Sequence, residues 1–502
     1  MPFDPVILWT DALIYLLLLL VVTFIWHVRH DAHFLTPWRR VSHSASGMSA
    51  LTILFFFFTI GFLDTLHFRP ALEHKNIHGQ PVYSVEVLSV LDILATPLRT
   101  NVEKTYSAPL ATHLYTKETV ELSDGTQIRT FARLEFGGSH LNDPDSEHFS
   151  DIIYRIFKGI TLGLFSWIIV HIILCSMMVR ATGQSMKHCC LSIWRRTTEV
   201  PWRAILITLA IVFILFGIVS MLATHYHVLG TDKVGQDVLY LSLKSIRVAL
   251  IIGTLTTLIM LPFALLLGIA AGYFRGWIDD VIQYIYTTLN SIPSVLLIAA
   301  AVLMMQVYIE THAELFETIA ARADIRLLCL CIILGITSWT SLCRLLRGET
   351  LKLREMEYIQ AAHAFGVSHW RIITRHILPN VMHIVLIAIV MDFSGLVLAE
   401  AVLSYVGVGV DPSMISFGTM INAARLEMAR EPMVWWALLS AFCFMLTLVL
   451  SANLFADAVQ KALDPRIKTF SQNTNSKTES DAKQSTTEVK TSTASNKPAK
   501  HP

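Results

Sequence analysis

The chain has 502 residues, of which 54% are hydrophobic and only 15% are charged. With its positive mean hydropathy, this composition excludes an ordinary soluble domain. The formal net charge of +1 indicates no partner by itself, and we expect no nucleic-acid partner.

Apolar runs about twenty residues long recur along the chain, and this length crosses the core of a bilayer. They predict nine membrane spans, approximately at residues 6–26, 48–68, 157–179, 204–224, 246–271, 281–308, 326–346, 382–409 and 433–457. The first run is too long, and too closely followed by others, to be a cleaved secretory signal. We therefore expect an all-α polytopic protein embedded in membrane lipid.

Two segments do not fit the pattern of spans. In residues 69–155, alternating stretches at 119–122 and 127–134 flank Asp124-Gly125, which is typical of a β-hairpin, so we predict a small β-containing insert. Residues 469–502 are rich in Ser, Thr, Lys and Asn and have few apolar residues. We predict that this tail is disordered.

The distribution of charge predicts the orientation in the membrane, because short loops rich in Lys and Arg remain cytoplasmic. Three loops between spans are basic, through Arg29, Arg39 and Arg40; through Arg180, Lys187, Arg195, Arg196 and Arg203; and through Arg347, Lys352, Arg354, Arg371 and Arg375. All three lie on one side if the N-terminus is outside and the C-terminus is cytoplasmic. This orientation places the insert outside.

The cysteines favour neither disulfides nor a metal. All seven lie in predicted spans or on the predicted cytoplasmic side, at positions 175, 189, 190, 329, 331, 343 and 443. This argues against a disulfide framework. Cys189 and Cys190 beside His188 lack a second ligand pair at zinc spacing, so we predict no metal site.

Residues 357–380, EYIQAAHAFGVSHWRIITRHILPN, form a polar segment between two apolar runs. Helical spacing predicts one apolar stripe, formed by Leu353, Met356, Ile359, Ala362 and Phe365. Gly366 is a natural helix stop, Ser368 is suited to cap a second helix, and Pro379 is suited to limit it. Two short helices at an angle would form a rigid surface that fits a groove on a partner. An amphipathic helix on the lipid surface is the alternative.

This 357–380 loop resembles the EAA loop of ABC-transporter permeases. Five more blocks occur in the order typical of the oligopeptide/dipeptide branch of that family: HVLGTDKVGQD at 227–237, AGYFRGWID at 271–279, SIPS at 291–294, LAEAVLSYVGVG at 398–409 and ALDPR at 462–466. The resemblance covers residues 201–468 as a six-helix permease domain. Residues 1–200 would be an N-terminal extension with three spans and the insert, and residues 469–502 a cytoplasmic tail.

The resemblance implies a peptide-import permease of the bacterial inner membrane. Its partners would be a homologous second permease, two ABC ATPase subunits and a periplasmic substrate-binding protein. The chain has no G-x-x-x-x-G-K-[ST] phosphate loop, so it would not be an enzyme or hold a cofactor, and ATP and Mg²⁺ would bind the ATPases. The residues that would dock an ATPase are Glu357, Tyr358, Gln360, Ala361, Ala362, Gly366, Ser368, His376, Pro379 and Asn380. Gln360 departs from the Glu usual in the family, which weakens any claim that a carboxylate is required there.

A second motif precedes the fifth predicted span and consists of Gly230, Thr231, Asp232, Gly235 and Asp237. The resemblance places it on the outer surface that receives substrate from a binding protein. Gly and Asp also suit tight turns and helix caps without any ligand, and we favour this structural role.

Polar side chains within the eighth predicted span are candidates for lining a path. A charge at mid-bilayer costs about 2.5–3.5 kcal/mol on insertion scales, so such residues usually face protein or water. Asp392, Ser394 and Glu400 could meet the ammonium group of a peptide, or they could make structural contacts. We favour structure for Glu400 and leave Asp392 open.

Other hypotheses remain at this point. The extension has features of a partial duplication of the core, with His140 before Asp151 matching His227 before Asp237 at nearly equal spacing. The alternatives for function are a permease for another small solute such as nickel, an ion-coupled secondary transporter, or an assembly protein or sensor that binds partners through the insert.

Overall fold

A computed structural model describes residues 3–28, 32–75, 81–121, 127–195, 198–312, 314 and 318–463. In the extension the helices are α1 (Trp9–Val28), α2 (Ala32–His43), α3 (Ala45–Thr65), α4 (Val90–Leu94), α5 (Thr96–Thr100), α6 (Pro144–Thr182) and α7 (Met186–Trp194). In the remainder they are α8 (Trp202–Ala223), α9 (Val238–Phe274), α10 (Trp277–Ser291), α11 (Ser294–Thr311), α12 (Ile319–Ser338), α13 (Thr340–Arg354), α14 (Glu357–Ala364), α15 (His369–Ile372), α16 (Leu378–Val406), α17 (Phe417–Glu427) and α18 (Trp436–Leu463). The predicted all-α membrane fold is confirmed.

Seven helices of the described chain are long and apolar enough to cross a membrane: α3, α6, α8, α9, α11, the continuous helix His369–Val406, and α18. The other two predicted spans overlap α1 and α12. The apolar part of α1 is limited to Trp9–Thr23. Helix α12 carries Arg322, Asp324 and Arg326 near its start, which lowers its apolar character.

Two predicted spans are broken, and the prediction of single helices there was wrong. The span predicted at 281–308 divides into α10 and α11, because Pro293 cannot donate a backbone hydrogen bond and stands just before α11. The span predicted at 326–346 divides at Trp339 into α12 and α13. Helix α13 is amphipathic, with Leu342, Cys343 and Leu346 buried.

The insert contains the predicted strands. Strands β1 (Phe3–Val6), β2 (His67–Lys75), β3 (Pro81–Tyr83) and β4 (Leu88–Ser89) form one sheet in which β2 pairs antiparallel with the other three. Strands β5 (Glu118–Glu121) and β6 (Gln127–Thr130) pair antiparallel, with Glu118 opposite Thr130. This confirms the hairpin, although its predicted turn at Asp124-Gly125 lies outside the described residues, as does the tail.

One boundary of the insert differs from the prediction. Strand β1 pairs with β2, so the N-terminus lies on the same side of the molecule as the insert, as predicted. The insert ends at Asp143 rather than at 155, because Asp143 caps α6 through the Asp145 backbone amide and Pro144 occupies its first turn.

Helices α6 and α8 pack closely through glycines. Gly159 and Gly163 on α6 face Gly217 on α8, where backbone touches backbone. A Cβ atom on Gly217 would lie 2.4 Å from the Gly159 carbonyl oxygen. Small residues that let backbones approach are the usual basis of helix association in membranes.

We expect Gly217→Ala to destabilise the protein, because the added methyl group forces α6 and α8 apart. Overpacking of this kind costs about 1–3 kcal/mol. The measurement is the thermal unfolding midpoint of the full chain in detergent. Gly395→Ala is the matched control, because no atom lies within 4 Å of a Cβ there. Equal midpoints for the two variants would contradict the packing argument.

Candidate functional site

The 357–380 loop folds as a helical turn between membrane helices. Helix α14 ends at Ala364, and Gly366, two residues further on, has a φ of +72°, a conformation that favours glycine. The Val367 amide donates to the Ala362 carbonyl oxygen at 3.1 Å, which closes the turn in the manner of a glycine C-cap. Helix α15 then begins at His369.

Two details of the prediction were wrong. Ser368 occupies the N-cap position of α15, but its side chain makes no capping hydrogen bond. Pro379 does not end the second helix, since a π-helical turn at Ile373–Ile377 connects α15 directly to α16. Pro379 lies in the first turn of α16, where a missing N–H is tolerated.

The predicted apolar stripe is only partly buried. Ile359 is fully buried, and Leu353 and Ala362 pack on the same core. Phe365 is 87% exposed and Met356 is 50% exposed. These two residues point away from that core.

Helix α9 supports the loop from beneath. The Tyr273 hydroxyl lies 2.9 Å from Nε2 of His363 and 2.8 Å from Nδ1 of His369, so one side chain contacts both α14 and α15. Nearby, Arg347 of α13 donates to both oxygens of Asp279 on α10, at 2.6 and 2.7 Å. Such bidentate pairs fix geometry as well as adding energy.

Three of the predicted docking residues contact one another. Asn380 Nδ2 donates to the Tyr358 hydroxyl at 3.2 Å and to the His376 carbonyl oxygen at 2.8 Å. The rings of Tyr358 and His376 lie 6.1 Å apart. The first helix of the loop is thereby connected to the start of the following span.

The free face of the loop is aromatic and basic. Phe365 and Trp370, which is 71% exposed, flank the Gly366 turn. Arg371 and Arg375 are also exposed, as are the predicted residues Glu357, Gln360 and Ala361. Exposed aromatic side chains next to Arg are typical of the centre of a protein interface.

The 230–237 motif forms a joint between the insert and the permease core. The Ser107 amide donates to the Thr231 hydroxyl at 2.7 Å, and Trp436 Nε1 donates to the Thr231 carbonyl oxygen at 2.9 Å. Gly235 lies against Glu103, whose carbonyl oxygen would be 1.7 Å from a Cβ atom at this position. Only glycine fits there.

The two aspartates of the motif fix the backbone where α9 begins. Asp232 accepts hydrogen bonds from the amides of Val234 and Gln236, both at 2.9 Å. Asp237 caps α9 through the Leu239 amide. Together with Gly230 at a positive φ, these contacts agree with the structural role favoured from the sequence.

A buried ionic group completes this joint. Asp237 accepts a hydrogen bond from Nδ1 of His227 at 2.7 Å, and Glu103 of the insert lies 3.4 Å from Nε2 of the same ring. Glu103 also accepts from the backbone amides of Glu135, Phe136 and Gly137.

Both pKa values in this group are displaced. Burial opposes the charged form of His227, but Asp237 and Glu103 outweigh it and raise the pKa to about 9. Burial likewise raises the pKa of Glu103, but His227 and the three amides outweigh it and lower the pKa to about 2. His227 and Glu103 are therefore both charged across the neutral pH range.

The candidate path residues separate into two groups. Ser394 donates to Asn453 Oδ1 at 2.7 Å, and Glu400 accepts from Ser404 and Ser416 at 2.7 and 2.8 Å. Both residues thus hold α16 against its neighbours. Asp392 is half-buried and has no hydrogen-bond partner among the described residues.

The insert side also has a charged cavity of about 510 Å³ between α9, α12 and the sheet. Arg247 donates to Asp11 at 2.8 Å, and Lys244 donates to Asp64 at 2.7 Å. We did not predict these pairs from the sequence, because their members lie more than 150 residues apart. The only sequence signal was the presence of charged residues near the ends of apolar runs.

These features define a multi-pass membrane protein with an exposed helical loop on one side and a folded insert on the other. Residues 264–469 match the family of inner membrane components of binding-protein-dependent transport systems. The chain is 33% identical over 242 residues to the glutathione transport system permease protein of Pectobacterium atrosepticum. This alignment covers 48% of this chain and 73% of the relative. This chain belongs to the family of inner membrane components of binding-protein-dependent transport systems.

Two further relatives carry related names. The oligopeptide transport system permease protein of Mycobacterium tuberculosis is 32% identical over 239 residues, covering 48% of this chain and 76% of the relative. The dipeptide transport system permease protein of Bacillus subtilis is 27% identical over 242 residues, covering 48% and 69%. The family match begins at 264, whereas the predicted permease domain begins at 201, so that boundary stays a prediction.

We expect the joint between insert and core to weaken as the pH rises. Because the pKa of His227 is raised from 6.5 to about 9 in the folded chain, its stabilisation is complete below pH 6.5 and is lost as the pH passes 9. The measurement is the rate of limited proteolysis of the insert in the full chain, which should increase several-fold between pH 7 and pH 10.

Two variants test the assignment to this histidine. His227→Gln should remove most of the pH dependence, whereas His225→Gln, two residues away, should retain it. A wild-type rate that does not change from pH 7 to pH 10 would be evidence against the ionic joint.

Proposed function

We propose that this chain is the permease subunit of an ATP-driven importer of short peptides, and that its 357–380 loop docks an ATPase subunit. One observation carries the proposal. The chain presents an exposed aromatic surface at Phe365 and Trp370 on a turn that is fixed to membrane helix α9 through Tyr273. A partner that pushes on this surface would move a membrane helix.

The substrate class follows from the relatives. Their names refer to glutathione, oligopeptides and dipeptides, and all of these are short peptides. No observation among the described residues favours nickel or coupling to an ion gradient. Asp392, a carboxylate in a membrane helix for which the described residues offer no hydrogen-bond partner, is suited to meet the ammonium group of a peptide.

The complete transporter would contain a second permease, two ATPase subunits and an outer substrate-binding protein in a bacterial inner membrane. The insert and N-terminus would face outward, and the loop would face the cytoplasm. ATP and Mg²⁺ would bind the ATPase subunits. Nucleotide binding would favour the outward-open state through its differential contacts, and hydrolysis would restore the inward-open state.

The docking role is tested by replacing Gly366. An ordinary residue in its left-handed conformation costs about 1–2 kcal/mol, and Val is worse because of its branched side chain. We expect Gly366→Val to reduce both ATPase co-purification and ATP-dependent peptide uptake in proteoliposomes containing all subunits. Gly366→Asn is the matched control, since Asn tolerates this conformation, and it should retain most of both activities.

Each outcome of that experiment is informative. If Gly366→Val assembles and transports like wild type, the mechanical role of the loop is wrong. If wild-type uptake proceeds without ATP or an ATPase subunit, the protein is a secondary transporter. A loop that binds lipid vesicles but no ATPase would be an amphipathic surface helix instead.

The role of Asp392 gives a separate prediction. We expect Asp392→Asn to lower uptake of peptides with a free amino terminus by about tenfold, because a hydrogen bond to a charged group contributes about 1.5–3 kcal/mol. N-acetylated peptides should be affected much less. Ser394→Ala, which removes hydrogen bonds to Asn453 and to the Met391 carbonyl oxygen, should leave the ratio of the two uptakes unchanged. An equal loss for both kinds of peptide would assign Asp392 to structure.

A further inference from the structure

Helices α6 and α7 bring together a thiol–imidazole cluster that sequence spacing concealed. His171 and Cys175 lie one turn apart on α6, and Cys190 approaches them from α7. One ligand atom from each residue lies within 4.8 Å of the other two. The two sulfur atoms are 3.0 Å apart, and Cys175 Sγ lies 3.9 Å from His171 Nδ1.

The surroundings of this cluster are apolar. Cys175 is fully buried and packs in a core with Ile193 and Leu206. The Nε2 atom of His171 is also buried, and it has no hydrogen-bond partner among the described residues. Buried polar atoms in folded proteins rarely lack a partner, so the described residues do not fully satisfy the polar atoms of this cluster.

We propose that His171, Cys175 and Cys190 bind a thiophilic metal ion, and that the ion is Zn²⁺. Thiolate and imidazole are the ligands that zinc prefers. Binding would release the two thiol protons to water, while the histidine ring would contribute a lone pair of a neutral nitrogen. The sulfur atoms would separate from 3.0 Å to about 3.7 Å, the distance expected for two sulfurs at tetrahedral Zn–S bond lengths.

Charge favours Zn²⁺ over Cu⁺, the other ion that such ligands select. Two thiolates and Zn²⁺ form a neutral unit, whereas two thiolates and Cu⁺ would leave a net negative charge in apolar surroundings. An unpaired buried charge is costly.

The metal would fasten the short helix α7 to the end of α6, across the turn at Gly183. We predicted no metal site at His188, Cys189 and Cys190, and His188 lies 2.9 Å from the side-chain oxygen of Gln184. The other two ligands, His171 and Cys175, come earlier in the chain and lie four residues apart on the membrane helix α6. This role is independent of the peptide permease function.

The experiment measures metal bound to the purified full-length chain. Protein kept under reducing conditions is stripped with a chelator, reloaded with ZnCl₂ or with Cu⁺, desalted, and assayed by elemental mass spectrometry. We expect about one Zn²⁺ per wild-type chain and at least tenfold weaker binding in Cys175→Ser, Cys190→Ser and His171→Leu. Cys443→Ser, which changes an exposed cysteine on α18, should bind like wild type.

A second measurement does not depend on the folding of variants. Co²⁺ added to the stripped wild-type chain should produce a thiolate-to-metal charge-transfer band. The proposal is overturned if wild type retains no more Zn²⁺ than the Cys175→Ser/Cys190→Ser double variant, or if the Co²⁺ band is absent. Stoichiometric retention of Cu⁺ alone would overturn the assignment to Zn²⁺. A Cys175–Cys190 disulfide in freshly isolated, unreduced protein would replace the metal site with a redox pair.

Discussion

Helix α9 bears one polar face on which the arrangement of the whole chain depends. Asp237, Tyr240, Lys244 and Arg247 follow one another at intervals of three or four residues, so they lie along one side of the helix. Each of them holds the N-terminal extension or its joint, through the contacts Asp237–His227, Tyr240–Asp92, Lys244–Asp64 and Arg247–Asp11. Breaking one of these pairs would leave its partner charged or polar in an apolar setting, which is strongly destabilising. The extension is therefore bound to the permease core by groups that cannot be removed singly, although the family match covers only the core.

The same helix connects the two functional ends of the molecule. At 37 residues, α9 is about 55 Å long, given a rise of 1.5 Å per residue. It begins at the joint with the insert and ends at Phe274, next to the Tyr273 hydroxyl that contacts His363 and His369 in the loop. The loop and the joint thus share one continuous helix. The presence of a folded insert at the first end of that helix distinguishes this chain from a bare six-helix core.

The structure contains one feature that bears on the hypothesis of a partial duplication, a His–Asp contact near the start of both α6 and α9. His140 lies 2.9 Å from Asp151 at the insert end of α6, and His227 lies 2.7 Å from Asp237 at the insert end of α9. The nearly equal spacing in the sequence therefore corresponds to a His–Asp contact at the insert end of each helix. Duplication remains a hypothesis, because Asp237 caps its helix whereas Asp151 lies two turns inside α6.

Local features could be predicted from the sequence because their physical causes are local. Span length, the β5–β6 hairpin, the stop at Gly366 and the order of the family blocks all depend on residues within one short window. The break at Trp339, the passage of the helix through Pro379 and the exposure of Phe365 depend on how helices pack. The pairing of Arg247 with Asp11, of Glu103 with His227 and of Cys175 with Cys190 was decided only by the tertiary structure. The sequence does not show which side chains that are far apart in the chain lie close together in space. Polar and charged groups that are buried away from water need partners, and only the folded structure shows which groups supply them.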